Sequence, residues 1–436
     1  MQRNVLIFLS DFTSFWLALL LLIVARFHNE TIGAVLEIHL FPFSILFVSW
    51  ILTFYLFDLY DLFHIKPTIP HLRRFILALL FSLLIGVLFF YFIPIFGITP
   101  KTNLIIQLLL FGILSFTGRR IIYLIFSGQT MQPAILIGQT NYLSDLENAI
   151  NINPQTGVKV EGKSATLTEA VQKYSKLKRP LFIYESFSEN TSNETIIELL
   201  RKEIEVIDAA ETYERYFAKI PISYINSNWI IENIHNKKNV IHNLAVRARD
   251  VFVATFVLVI TLPITLLVGL FIYLYDKENI FYTSGRTGQG GKVFSCYKFR
   301  SMYATIDKNP DADGTQAIWH IKNDTRVTPI GKIIRKLHID EIPQMVNIIK
   351  GDMALVGPRP ERCKFVNNFE KQIPNYGLRH IIRPGFTGWA QIKYRYAHNT
   401  DDTKEKFEYD LYYIKNRNFF LDLGIMLKTL QIIFTH

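Results

Sequence analysis

Four apolar stretches in the first 128 residues, each about as long as a bilayer is thick, restrict this chain to a membrane architecture. They run near Val5–Phe27, Phe41–Leu62, Phe75–Ile98 and Asn103–Phe126. A helix needs about 20 apolar residues to cross the hydrocarbon core, where its backbone polar groups must all be satisfied internally. The first stretch does not read as a cleaved signal peptide: it contains Asp11 and lacks a small-residue cleavage site before further apolar segments. Lys66, Arg73 and Arg74 lie between the second and third stretches, and Arg119 and Arg120 near the end of the fourth. The other two loops hold little more than Arg26 and Lys101. By the positive-inside rule, both ends of this four-helix transmembrane bundle face the cytoplasm. Asp11 and the pair Asp58/Asp61 are most simply interface or helix-packing residues, although an intramembrane carboxylate also carries a functional reading.

A polar, mixed segment follows at residues 132–240. The apolar runs Ala134–Gly138, Leu181–Tyr184 and Ile204–Asp208 alternate with helix-like stretches around 142–151, 166–176 and 195–203. Strands alternating with helices indicate a small parallel, Rossmann-like α/β domain. Its opening ILIGQTN has one glycine, Gly138, where a dinucleotide fingerprint needs several for backbone to approach a pyrophosphate. A structural or oligomerising module suits this composition better than a cofactor site.

A fifth apolar stretch, Val251–Tyr275, is also long enough to cross. Pro263 sits at its middle, where it removes a backbone donor and kinks a helix. Arg247 and Arg249 precede it, and Asp276, Lys277 and Glu278 follow, so both ends are polar. A re-entrant helix that bends at Pro263 and returns to the same leaflet explains these features. An ordinary kinked span is the alternative.

The net charge of +10 falls on segments between and after the apolar runs, which suits an anionic leaflet or phosphate-bearing ligands. No helix-turn-helix, zinc or RNA-binding signature supports nucleic acid as the partner. Cys296 and Cys363 have no metal or redox spacing, as expected of a reducing compartment. Within the tail, Ile330, Ile333, Ile334 and Leu337 repeat at helical spacing, with Lys332, Arg335 and Lys336 off that face. Thr328 is the expected N-cap and Pro329 the first helical residue. The apolar face suits either the membrane interface or a core.

Two adjacent carboxylates, Asp340 and Glu341, come directly after that basic helix. Read alone, such a pair near a helix end is usually a solvated feature. A carboxylate attacks phosphorus only where cations or a metal neutralise the phosphate, and Lys332, Arg335 and Lys336 stand within two turns.

The ordered strings KFRSM (Lys298–Met302), NDTRVTPIGKIIRKLHIDEIPQ (Asn323–Gln344), NIIKGDMALVGPRPE (Asn347–Glu361), RPGFTGWAQ (Arg383–Gln391) and YDLYYIKNRNFFLDL (Tyr409–Leu423) resemble the bacterial sugar transferases known as monotopic phosphoglycosyl transferases. The resemblance covers essentially all of residues 245–436, and the preceding spans and α/β segment look like the long-form members. It implies transfer of a sugar-1-phosphate from a UDP-sugar to polyprenyl (undecaprenyl) phosphate, with release of UMP. Such a reaction initiates capsule, O-antigen or exopolysaccharide synthesis at the cytoplasmic face of the bacterial inner membrane. Asp340 matches the family nucleophile, which passes through a covalent sugar-phosphoryl-aspartyl intermediate. Glu341 matches the dyad's second member, in metal or proton handling. Mg²⁺ is the implied cofactor, held at Asp340 and Glu341. Arg335 matches an arginine that meets the lipid phosphate. Lys298, Arg300 and Arg359 fall in matched motifs and suit phosphate binding, although Lys298 and Arg300 fit ordinary flanking charges equally. Pro263 matches the proline that breaks the re-entrant helix. Many members carry Ser before that proline; here Leu262 precedes it, with Thr261 one further back. Ala354 stands where Ser is frequent.

The expected organisation is therefore transmembrane helices over 1–128, the Rossmann-like domain over 129–243, and a catalytic domain over 244–436. That last domain combines the re-entrant helix 251–275 with amphipathic interfacial helices. The α/β segment is also consistent with a homodimer. A non-catalytic membrane scaffold of a polysaccharide assembly complex is the alternative function. It leaves the dyad and its cations unexplained.

Overall fold

Helix ends in the amino-terminal region are set by turn and capping chemistry rather than by where apolar residues stop. A computed structural model describes the chain outside residues 1, 28–30, 62–64, 94–100, 129–130, 175, 178, 186–193, 195–196, 198, 200, 203, 236–239, 304–325, 395–399 and 435–436. Four long helices come first: α1 (Gln2–Arg26), α2 (Ile32–Leu56), α3 (Ile69–Phe92) and α4 (Lys101–Gly128). Helix α2 begins at Ile32 rather than Phe41, because its extra turns bury Val35 and His39. The His39 ring hydrogen-bonds Asn103 of α4 at 3.1 Å, so its polar atoms are satisfied inside the packing. The helix stops at Leu56, and Asp58 then adopts a left-handed conformation (φ 58°) that reverses the chain. Helix α3 starts early as well, on Thr68, whose hydroxyl accepts from the His71 N–H. Residues 94–98 of the expected third span lie outside the described residues.

One buried cluster draws on all four helices, with Phe15, Trp50, Phe54, Phe75 and Phe111 at its centre. Asp11 is the polar exception in this core. It is fully buried and accepts from Arg119 and from the Ser115 hydroxyl of α4. Arg119 also donates to the Leu59 carbonyl, so this pair ties α1 and α4 to the turn after α2. Of the two readings of Asp11, the packing one describes its contacts.

The same unit, residues 1–212, contains a parallel α/β region. Its strands are β1 (Gln132–Ile137), β2 (Val158–Ser164), β3 (Leu181–Tyr184) and β4 (Glu205–Asp208), in the order β2-β1-β3-β4. Helices α5 (Asn141–Ile152) and α6 (Leu167–Tyr174) fall where the periodicity placed them. Most of the third expected helix, 195–203, lies outside the described residues. Strand β2 was not foreseen: VKVEGKS alternates charge with small apolar groups, as an edge strand with one wet face does. At the turn after β1, the Glu185 carboxylate accepts from the N–H groups of Gln139 (2.8 Å) and Thr140 (3.3 Å). A side-chain anion thus occupies amides that would meet a phosphate in a dinucleotide site.

The second unit spans 213–436. Its long helix α7 (Val240–Asp276) continues through Pro263 as one helical element. Phe252, Phe256, Val259, Ile260, Leu266 and Leu267 are exposed along it, as expected of a lipid-facing surface. With α1–α4, it makes five helices long and apolar enough to cross a membrane, and the chain is a membrane protein. The Thr261 hydroxyl donates to Val257 O at 2.7 Å. The carbonyl left without its helical partner by Pro263 belongs to Val259, so Thr261 does not satisfy it.

After α7 come the hairpin β5 (Phe281–Thr287) and β6 (Val293–Phe299), then α8 (Pro329–Lys336) and α9 (Gln344–Lys350). The strand β7 (Ala354–Val356) pairs in parallel with β8 (Gly385–Thr387). Helices α10 (Cys363–Gln372), α11 (Thr400–Asn416) and α12 (Phe419–Phe434) complete the unit. Two cores result. Ala254 of α7 packs in one with Cys296, Met345, Ile348 and Leu355. Val366, Phe369, Tyr376, Phe407 and Leu411 form the other with Ile220, Ile225 and Trp229. The β7–β8 contact explains two motif glycines, since a Cβ on Gly385 would lie 2.0 Å from the Gly357 nitrogen.

Candidate active site

Helix α8 starts on Thr328, whose hydroxyl accepts from Gly331 N–H at 2.9 Å, with Pro329 in the first turn. Its apolar face divides. Ile334 is buried beside Phe299 and Ile272 with Ile330 against them, whereas Ile333 and Leu337 are exposed. Lys332 and Lys336 are exposed too. His338 then takes a left-handed conformation (φ 56°), and a single 3₁₀ turn, Ile339–Glu341, turns the dyad away from the helix axis.

That turn brings Asp340 and Glu341 beside β6 and the Gly357–Pro360 segment after β7. Lys298, on β6, donates to Glu341 Oε1, and Arg359 Nη2 donates to the same oxygen at 2.9 Å. Burial works against ionising Glu341. Arg359 and Lys298 overcome it and hold its carboxyl far below the usual carboxylate range. Asp340 is 8% exposed, and among the described residues no donor binds its carboxylate. Burial pushes its pKa up, with Lys298, Arg335 and His338 pulling the other way and Glu341 adding to the rise. The two carboxylates are therefore driven apart: Glu341 is a fixed anion, and Asp340 a poorly solvated carboxylate with no hydrogen bond to weaken it as a nucleophile.

Arg335 reaches back from α8, its Nε donating to the Ser301 hydroxyl at 2.7 Å. Arg300 is placed differently. It is buried, binds both Asp276 carboxylate oxygens and donates to Asn279 O at 2.6 Å, which secures the end of α7 to the hairpin. The structure thus gathers Asp340, Glu341, Lys298 and Arg359 in one place, with the charge of Arg335 acting on Asp340. Arg300 and Pro263 belong to the helix α7 and its anchorage.

Sequence reasoning assigned no role to Asn347, although it lies in a matched motif. Its buried amide accepts from Tyr297 N at 3.0 Å and donates to Ser295 O at 2.7 Å, so it registers β6, and hence Lys298, against α9. A buried Asn in a helix beside a strand is the signal that would have marked it.

A family model described as bacterial sugar transferase matches residues 241–436. The chain is 37% identical over 246 residues to a UDP-N-acetylgalactosamine-undecaprenyl-phosphate N-acetylgalactosaminephosphotransferase of Aeromonas hydrophila, covering 52% of this chain and 57% of that protein. It is 35% identical to a UDP-glucose:undecaprenyl-phosphate glucose-1-phosphate transferase of Klebsiella pneumoniae, over 47% of this chain and 43% of that one. It is 36% identical to the exopolysaccharide production protein ExoY of Rhizobium meliloti, over 44% of this chain and 85% of that one. The match thus spans about half the length of the first two of these relatives.

Proposed function

This chain belongs to the bacterial sugar transferase family, and from that premise we propose that it transfers a sugar-1-phosphate from a UDP-sugar to polyprenyl (undecaprenyl) phosphate. The names of two relatives, each acting on undecaprenyl phosphate and a UDP-sugar, support the substrate pair. The observation that carries the chemistry is the dyad itself: a buried Asp340, without a hydrogen-bond donor among the described residues, beside a Glu341 that holds Lys298 and Arg359.

An Asp340 carboxylate oxygen attacks the sugar-bearing phosphorus. The bond from that phosphorus to the bridging oxygen breaks, and UMP leaves with the oxygen and its electron pair. A phosphate oxygen of the polyprenyl substrate then attacks the same phosphorus, and the Asp340 carboxylate departs, regenerating the enzyme. Splitting the transfer this way lets one pocket serve a soluble and a lipid-borne phosphate in turn. Lys298 and Arg359, fixed by Glu341, face the charge that develops on phosphorus, and the exposed side of Arg359 (41%) leaves it open to ligand. Glu341 is too well stabilised as an anion to exchange protons readily. Arg335 lies on the helix suited to meet the lipid phosphate.

The Asp340 and Glu341 oxygens fit a Mg²⁺, which commonly binds through one or two carboxylates plus substrate phosphates. Among the described residues no cluster of three ligating side chains stands ready to hold a metal without substrate. Bound there, Mg²⁺ would lower the charge barrier between carboxylate and diphosphate.

We read α7 as re-entrant, with the site on the cytoplasmic face of the inner membrane. Arg247, before the apolar run, donates to the Ile348 and Ile349 carbonyls of α9. Asp276, after it, binds Arg300 next to β6. Asn347 joins α9 to β6, and Ser295 and Arg300 are only about 17 Å apart along an extended strand. A straight helix would separate Arg247 and Asp276 by about 43 Å. One small unit holds both ends, which suits a helix whose ends share a leaflet and not one whose ends lie across about 30 Å of hydrocarbon.

Incubating membranes that carry the chain with a panel of UDP-sugars and polyprenyl phosphate tests the proposal. UMP release with at least one donor, abolished in Asp340→Asn, is expected; undiminished release by that variant overturns it.

A further inference from the structure

We propose that Arg379 is a positioning residue for this reaction, fixing the Gly357–Pro360 segment so that Arg359 reaches Glu341. The inference rests on the transferase reading above. Pro358 and Pro360 have no N–H, so this segment has few backbone donors with which to hold itself. Three successive carbonyls are instead bound from outside. Gly385 N–H donates to Pro358 O at 2.9 Å, Arg379 Nη2 to Arg359 O at 2.9 Å, and Arg286 Nη1 to Pro360 O at 3.0 Å.

Arg379 lies in the 3₁₀ turn Tyr376–His380 and is 7% exposed. A guanidinium that deeply buried needs an anion. Asp410 of α11, also buried, provides it at 3.0 Å, and the Tyr376 hydroxyl takes a second N–H. Neither Arg379 nor Asp410 is bonded to Asp340 or Glu341. Their link to the dyad runs through the Arg359 backbone and then its side chain. Arg379 lies outside the strings that carry the family resemblance, and its role follows from geometry alone.

A purely structural Arg379–Asp410 pair would lower the amount of folded protein and leave the rate per folded molecule unchanged. A positioning residue lowers the rate itself, and only while Arg359 is present to be positioned. The experiment measures UMP release and melting temperature for the full-length wild type, Arg379→Lys, Arg359→Lys and the double variant. Arg379→Lys is expected to lose roughly 10- to 100-fold in kcat, the range typical of residues that orient active-site groups, with little change in KM for the UDP-sugar. The double variant is expected to be no slower than Arg359→Lys alone. Losses that multiply, or a wild-type kcat per folded molecule in Arg379→Lys, overturn the inference. If Arg379→Lys does not fold, Asp410→Asn replaces it in the same cycle, with the same two outcomes. A wild type that releases no UMP from any UDP-sugar sinks the transferase reading instead, whereas multiplying losses in an active enzyme sink this inference alone.

Discussion

Lys298 and Arg359, from segments 61 residues apart in the chain, donate to one and the same oxygen of Glu341. Two cations on a single carboxylate oxygen mean that Glu341 sets their positions beside Asp340. Replacing Glu341 with Gln keeps the shape and removes the charge that gathers them. A loss of roughly 100-fold in kcat is expected, comparable to removing one preorganised electrostatic group. Steady-state UMP release checks it, and a loss confined to KM would contradict this role.

The pH profile should report Asp340. Its pKa is raised by burial, and only the ionised form attacks phosphorus, so the rate falls as pH drops through that raised value. Lys298 is the strongest charge holding the value down. In Lys298→Gln the acid limb of kcat is therefore expected at higher pH than in the wild type. An unchanged or lowered limb would show that Asp340 does not govern it.

Arg300 anchors α7. Arg300 is buried while its partner Asp276 is partly solvated, so removing the guanidinium loses the charge-assisted hydrogen bonds, at about 1.5–3 kcal/mol, without stranding a fully buried charge. Arg300→Met should melt at a markedly lower temperature while retaining the wild-type KM for UDP-sugar in its folded fraction. A raised KM at unchanged stability would return Arg300 to the phosphate site.

Re-entry of α7 is open to chemical labelling. With Cys296 and Cys363 replaced, single cysteines at the exposed Lys292 of the β5–β6 hairpin and at Lys66 should react with a membrane-impermeant reagent from the same side. Labelling from opposite sides would make α7 a fifth crossing.

The parts of this molecule that local rules govern were legible in its sequence. Thr328 and Pro329 announce α8, and the apolar runs announce the five long helices. The carboxylate pair was legible only because the surrounding strings resemble a family, since an Asp-Glu pair near a helix end has no chemistry of its own. Besides Asn347, three features escaped. Strand β2 hid because a half-solvated edge strand has too few apolar residues to stand out. Arg300 and Lys298 sit two residues apart and read alike, yet one meets Asp276 and the other Glu341. Arg379 pairs with a helix 31 residues downstream and with a turn 20 residues upstream, a tertiary relation that no local pattern encodes.

Covalent loading of Asp340 is the step on which the mechanism depends. The protein is mixed with UDP-sugar in the absence of polyprenyl phosphate, quenched within the first turnover and analysed by mass. About one UMP is expected per enzyme, with the sugar-phosphate mass on the peptide that contains Asp340. UMP release only after polyprenyl phosphate is added, with that peptide unmodified, would contradict it.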